Sequence, residues 1–311
     1  MKLSLFGFAW VLVVLVAPGA GASDRFSIGL EGGAVAVTNP SGQVVLRYQY
    51  KLPEETKLSV ESAGYFHPFA TPGGMIVTDV APADHPHHRG IFLAWVELRG
   101  QKDGDFWGWG EPAPKHNRKI VNRGVSHLVG RRDQAGFRVR NDWLAEGVVL
   151  LREELAATIL LRSNAHVLDL EYTFAAETDV TLARWAFSGF CVRAPKDGQV
   201  QAVGPTGAVK LPAPSHLKPE SDWPAAPWYA YTLRSENGRA ACVAVIDHPR
   251  NPPTLWHNHP DLRMLNPCIV APGPVTVRAG QPLVLRYRVV AADGPTSPEG
   301  LNGLAREWRG S

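Results

Sequence analysis

Turn-forming residues interrupt this chain so often that long helices have nowhere to form. Its 311 residues include 26 prolines and 30 glycines; proline removes a backbone donor, and both residues disfavour helix interiors. Between the breaks lie short apolar runs at 26–30, 35–37 and 44–50, parted by Gly, Asn39-Pro40 and Ser41-Gly42 turns. Similar runs follow at 136–139, 148–155, 157–161, 180–186, 189–192, 230–233, 240–246 and 283–290. The stretch 167–174 (VLDLEYTF) alternates apolar and polar residues, the period of a half-buried strand. Only the tail at 297–308, and the short piece 144–146, read as helical. With no βαβ rhythm, the predicted fold is all-β: antiparallel sheets packed as one large sandwich.

Residues 1–22 read as a signal peptide. Met1-Lys2 is a basic start, residues 3–16 are apolar apart from Ser4 and Gly7, and Ala20-x-Ala22 supplies a cleavage pattern before Ser23. The apolar run is too short for a stable span; a retained anchor is the alternative. No later segment approaches spanning length, so the expected product is exported, periplasmic or extracellular, without membrane contact after cleavage. Residues 23–311 are expected to form a single domain. The formal charge of +3 is spread over scattered basic residues, which argues against a nucleic-acid partner. Cys191, Cys242 and Cys268 are an odd set in apolar surroundings. Buried thiols are expected, with one disulfide plus a free thiol as the alternative.

The chemistry concentrates in Asp84-His85-Pro86-His87-His88-Arg89-Gly90. Imidazole titrates near neutral pH, so His85, His87 and His88 are candidate acid/base residues. They are equally candidate ligands for a divalent metal, the one cofactor the cluster suggests. In an extended segment His85 and His87 would share a face and His88 would oppose them, unless Pro86 turns the chain. Arg89 is a candidate clamp for an anionic or hydroxyl-rich substrate. His67, in an aromatic run with Tyr65 and Phe66, and His257, beside His259 in Trp256-His257-Asn258-His259, are candidate substrate contacts. Downstream, Asp105-Phe106-Trp107-Gly108-Trp109-Gly110-Glu111 offers Trp107 as a stacking platform. Asp105 and Glu111 are the nearest carboxylates in sequence for binding or a glycosidase pair. Trp107, Trp109, Trp223 and Trp228 lie in Gly/Pro-rich loops that suit exposure. The Pro- and Ala-rich stretch 210–227 reads as a long ordered loop, a length usually tied to function. Asp247 and Asn251 are expected to cap a turn.

These residues resemble the PmoA-like family, bacterial proteins labelled "methane oxygenase PmoA". The resemblance is carried by Phe66-His67-Pro68, Thr71-Pro72-Gly73-Gly74, the 84–90 run, Asp105-Phe106-Trp107-Gly108, Asp247-His248-Pro249-x-Asn251-Pro252, Trp256-His257, Asn266-Pro267 and the strand 285–289. It implies a galactose-mutarotase-like supersandwich and a role in carbohydrate metabolism. One departure stands out. Relatives carry an acidic, lysine-containing run where this chain has Ala183-Arg184-Trp185-Ala186-Phe187-Ser188-Gly189-Phe190, and Val96-Glu97 stands near an expected His or Asp.

Three functions remain open on the sequence. The leading one is an exported enzyme acting on a sugar or uronate as epimerase, lyase or hydrolase, with a small-molecule or glycan substrate. The second is a non-catalytic carbohydrate-binding sandwich. The third, favoured by the family label and the histidine count, is a metal-dependent oxidative enzyme.

Overall fold

The computed structural model describes residues 24–310; the expected signal peptide lies outside the described residues. Two antiparallel sheets share one hydrophobic core. The larger runs in spatial order Gly207–Ala208, Gln199–Gly204, Trp228–Arg234, Ala240–Asp247, Leu283–Asp293, Ala165–Ala175, Val148–Arg162, Gln134–Ala145 and Arg118–Gly130. The smaller runs Ser27–Glu31, Ala34–Thr38, Val44–Gln49, Tyr65–Phe69, Ile91–Ala94, Gly189–Arg193 and Met264–Leu265. The all-β sandwich expected from the turn spacing is therefore the observed architecture.

Strand parity explains the patterning. In Ala165–Ala175, Leu168, Leu170, Tyr172 and Phe174 point into the core between the sheets. The intervening Asp169 and Glu171 face outward and meet Arg288 and Arg286 across the ladder. In Ala240–Asp247 both faces are apolar. Val243 and Val245 enter the main core, while Cys242, Ala244 and Ile246 face the other way. That outer face is covered by the one α-helix among the described residues, Pro298–Arg309. Its Leu301, Ala305 and Trp308 fall at helical spacing and pack on Val167, Trp228 and Val290. Ser297 caps it by accepting from Gly300 N, as the sequence of the tail predicts.

Several local expectations are corrected. Runs 148–155 and 157–161 form one strand, Val148–Arg162. Residues 144–146 are not helical: Leu144 and Ala145 close the strand Gln134–Ala145, and Glu146 enters the hairpin turn at φ 51°. The long strand Arg118–Gly130 escapes periodicity because it is a polar edge strand with two register shifts against its neighbour. Trp223 and Trp228 are core residues, 2% and 0% exposed. The three cysteines are free and buried, and burial pushes the Cys242 thiol up to about 11. Asn251 does brace its turn, donating to Asp247 at 2.7 Å. Among the described residues, no helix is long and apolar enough to cross a membrane.

Candidate functional site

Three neighbouring strands of the smaller sheet carry the site. Ile91–Ala94 pairs with Gly189–Arg193, which pairs with Met264–Leu265. The loops entering these strands hold the 84–90 run, Phe187, and the His257 to His259 segment. Asn266 ties the last two together, its amide donating to the Ser188 carbonyl while its backbone N–H donates to Asn258 Oδ1.

The histidine run turns rather than extends. His85 N–H donates to Pro82 O at 3.0 Å, and His88 N–H to His85 O at 2.9 Å. These consecutive turns abolish the alternation of faces and gather all three rings. His85 stacks on His88 at 4.8 Å, and His87 meets His88 edge-on at 4.6 Å. Two glycines make the packing possible. Gly90 sits at φ 63°, where a Cβ would collide with the Phe66 carbonyl. Gly108 sits at φ 107°, where a Cβ would strike Val60 and His87.

Several expected site residues prove to be scaffold. Arg89 is 0% exposed; its guanidinium donates to the carbonyls of Phe106 at 3.0 Å and His87 at 3.3 Å, and lies over the Phe92 ring. Its terminal nitrogens face backbone carbonyls, and it does not line the cavity described below. Asp105 is buried and accepts from Gly108 N–H at 2.7 Å and Gly110 N–H at 2.5 Å. It shapes the Trp107 to Gly110 loop, and burial pushes its carboxyl up to about 6. Glu111 is exposed and lies off the cavity described below. His67 is paired with Thr78 at 3.0 Å and also lies off it.

What does converge is a cavity of about 280 Å³, at the small end of ligand sites. His85, His87, His88 and Trp107 form one wall, as the sequence suggested, and His257 stands in another with His259. Trp109, Phe187, Leu262 and Met264 add apolar surface. The long loop at 210–227 contributes Pro214 and His216. His216 and Phe187 had no local motif to announce them. Trp107 is only 1% exposed, wedged between Phe92 and Phe187. Trp109 is half-buried, and its ring meets His87, Phe187 and His216. Of the two indoles it is the more exposed.

Among the described residues, no Asp, Glu, Lys or Arg lines this cavity. The charges sit one layer back. Asp222 accepts from His257 Nδ1 at 2.6 Å, with both side chains nearly fully buried. Burial raises the Asp222 carboxyl, and the bond from His257 opposes it. Burial, reinforced by His85, Arg89 and Lys115, pushes His87 down to about 3. Burial also holds His88 well below the usual imidazole value, with His87 and Arg193 adding to the effect. His259 is lowered mainly by burial. The His87 Nε2, His259 Nδ1 and both indole N–H groups of Trp107 and Trp109 are buried without protein partners. Such groups are costly unless a bound molecule satisfies them. No group of three His, Cys, Asp or Glu among the described residues is placed to hold a metal ion. The rings of His85, His87 and His88 pack by face and edge.

An antiparallel β-sandwich with an imidazole- and indole-lined cavity is thus the class of molecule. Residues 36–306 match DUF6807, a family of unknown function, and the chain belongs to that family. The methane-oxygenase label is no part of that match. No curated protein matches the sequence. Among solved structures, the chain is similar to the GH36 α-galactosidase AgaA from Geobacillus stearothermophilus, at 10% identity and TM-score 0.38. That match covers 88% of this chain and 41% of the other. A galactose mutarotase related enzyme from Lactobacillus acidophilus matches at 8% identity and TM-score 0.38, covering 88% of this chain and 98% of the other. A putative aldose 1-epimerase from Escherichia coli K12 matches at 8% identity and TM-score 0.30, covering 87% and 99%. Likeness at this level carries no inference about activity.

Proposed function

We propose that the cavity binds a neutral sugar and that the protein, exported as its leader suggests, moves a proton on it, as an epimerase does. The observation that carries this reading is buried Asp222 paired behind His257, which lines a cavity that no Asp, Glu, Lys or Arg lines among the described residues. A carboxylate that accepts from Nδ1 orients the imidazole and leaves its Nε2 as a base. His257 takes a proton from a substrate hydroxyl, or from the carbon beside a carbonyl, and returns it after rearrangement. Asp222 stabilises the imidazolium in between. His88, held neutral, donates a hydrogen bond to the oxygen on which charge develops, so it polarises rather than protonates. Trp109 and Phe187 offer rings for the apolar face of the sugar.

Two of the readings open on the sequence are less well supported. A uronate would find no Lys or Arg lining the cavity among the described residues to pair with its carboxylate. A glycosidase needs two carboxyl groups flanking the bond, and Asp105 and Glu111 do not line the cavity. A non-catalytic sugar binder is the second reading, favoured by Phe187 lining the cavity within the stretch where the resemblance implies an acidic residue.

The test is anomer and epimer exchange across a panel of neutral aldoses and ketoses, followed by NMR. Wild type is expected to accelerate exchange of at least one sugar, with His257→Ala lowering the rate about 100-fold or more. Binding without exchange would select the non-catalytic reading. Exchange unaffected by His257→Ala would remove the assignment.

A further inference from the structure

We propose that Arg193 is a positioning residue that fixes the ring proton of His88 on Nε2, so that the cavity presents His88 as a hydrogen-bond donor and His257 as an acceptor. The purpose of this arrangement rests on the sugar-pocket reading; its geometry does not.

Arg193 ends the strand Gly189–Arg193 and is 0% exposed. One of its terminal nitrogens lies 3.1 Å from His88 Nδ1. A guanidinium has donors only. His88 Nδ1 must therefore supply the lone pair, and the proton of the neutral ring sits on Nε2. The other terminal nitrogen donates to both oxygens of Asp84, at 2.9 and 3.1 Å. Lys196 Nζ reaches the same carboxylate at 2.8 Å. Asp84, the first residue of the histidine run, thus anchors the guanidinium that orients its fifth. His85, 3.2 Å from Asp84 through Nδ1, stacks on the His88 ring and limits its rotation.

His257 has the opposite polarity. Its Nδ1 faces an acceptor, Asp222 Oδ1, so the ring proton is on Nδ1 and Nε2 carries the lone pair. Both rings line the cavity, and the nitrogen not engaged by Arg193 or Asp222 is a donor on one and an acceptor on the other. A hydroxyl group both donates and accepts, and so suits this pair. A carboxylate only accepts and an ammonium only donates, so each would leave one ring unsatisfied. The tautomer lock thus selects hydroxyl-bearing, uncharged ligands even though neither Arg193 nor Asp84 lines the cavity.

The experiment is long-range proton–nitrogen correlation NMR on the full chain labelled with 15N histidine, with peaks assigned by His88→Gln and His257→Gln. Wild type is expected to show, at neutral pH, a bare Nε2 and a protonated Nδ1 for His257, and for His88 a protonated Nε2 and a bare Nδ1 that persist down to roughly pH 5. In Arg193→Met, His88 should become a tautomer mixture while His257 keeps its pattern, and Arg193→Lys should restore the donor-facing form. His88 protonated on Nδ1 or on both nitrogens in wild type would overturn the proposal, as would an unchanged His88 pattern in Arg193→Met. If the Met variant does not fold, the wild-type spectrum still decides. Adding the neutral sugar panel separates the two claims. Correct tautomers with no sugar-dependent shifts would sink the sugar reading and leave the Arg193 lock standing.

Discussion

At the scale of single residues, the chemistry-bearing groups divide sharply into those that face the cavity and those that build it. Composition alone cannot separate them, because arginine and aspartate serve equally as ligand contacts and as buried caps. Arg89 shows the difficulty. In sequence it reads as an anion clamp, yet its terminal nitrogens donate to carbonyls of the loop it supports. The two neighbouring tryptophans divide in the same way. Trp107 is packed on both sides, whereas Trp109 is half-buried against the cavity. Trp107→Ala is therefore expected to cost about 3–5 kcal/mol of stability. Trp109→Ala should leave the unfolding midpoint nearly unchanged and weaken sugar binding about tenfold or more. Chemical denaturation and calorimetric titration of both variants check this; the reverse assignment of effects would show that the wrong indole had been taken as the platform.

At the scale of elements, much of the fold was legible because strands and turns write period-two patterns and Gly/Pro punctuation. The alternating stretch at 167–174 and the capped C-terminal helix fell where their patterns put them. The strand Arg118–Gly130 did not, since an edge strand with bulges need not alternate. The cavity was half legible. His85, His87 and His88 gather because adjacent turns fold seven residues onto themselves, which local sequence can suggest. The partners Arg193 and Asp222 lie 105 and 35 residues away from the histidines they orient, and no local pattern encodes such contacts. The turns themselves give a further prediction. Gly90→Ala places a methyl against the Phe66 carbonyl in a backbone conformation that disfavours it. The variant should lose at least about 1 kcal/mol of stability and move the histidine rings. Thermal unfolding and the His88 NMR signals read both effects; wild-type values for both would show the segment to be more plastic than its packing indicates.

At the scale of the whole molecule, the sandwich buries ionisable groups far from the cavity, and these govern how stability varies with pH. Glu153 lies wholly in the core, accepting from Trp143 Nε1 at 2.7 Å and Asn141 Nδ2 at 2.9 Å, and burial pushes its carboxyl up to about 7. Its folded pKa exceeds its unfolded value, so its contribution is complete below about pH 4.3 and is lost as pH rises through about 7. His87 and His88 act in the opposite sense: lowered in the folded state, they favour folding above about pH 6.5 and cease to as pH falls. Glu153→Gln removes the first effect alone. Relative to wild type, it should gain stability from pH 5 to pH 8, by up to about 1.4 kcal/mol per pH unit within the window. Urea unfolding at both ends measures the difference; a constant gap would mean that Glu153 does not change protonation on folding.

The proposed sugar pocket is tested most directly by calorimetric titration of the wild-type protein with neutral hexoses and pentoses and with the matching uronates, at neutral pH. The account predicts saturable binding of at least one neutral sugar and binding of its uronate weaker by about tenfold or more, since no cation lines the cavity among the described residues. Preferential binding of the uronate, or no binding of any neutral sugar, would contradict it.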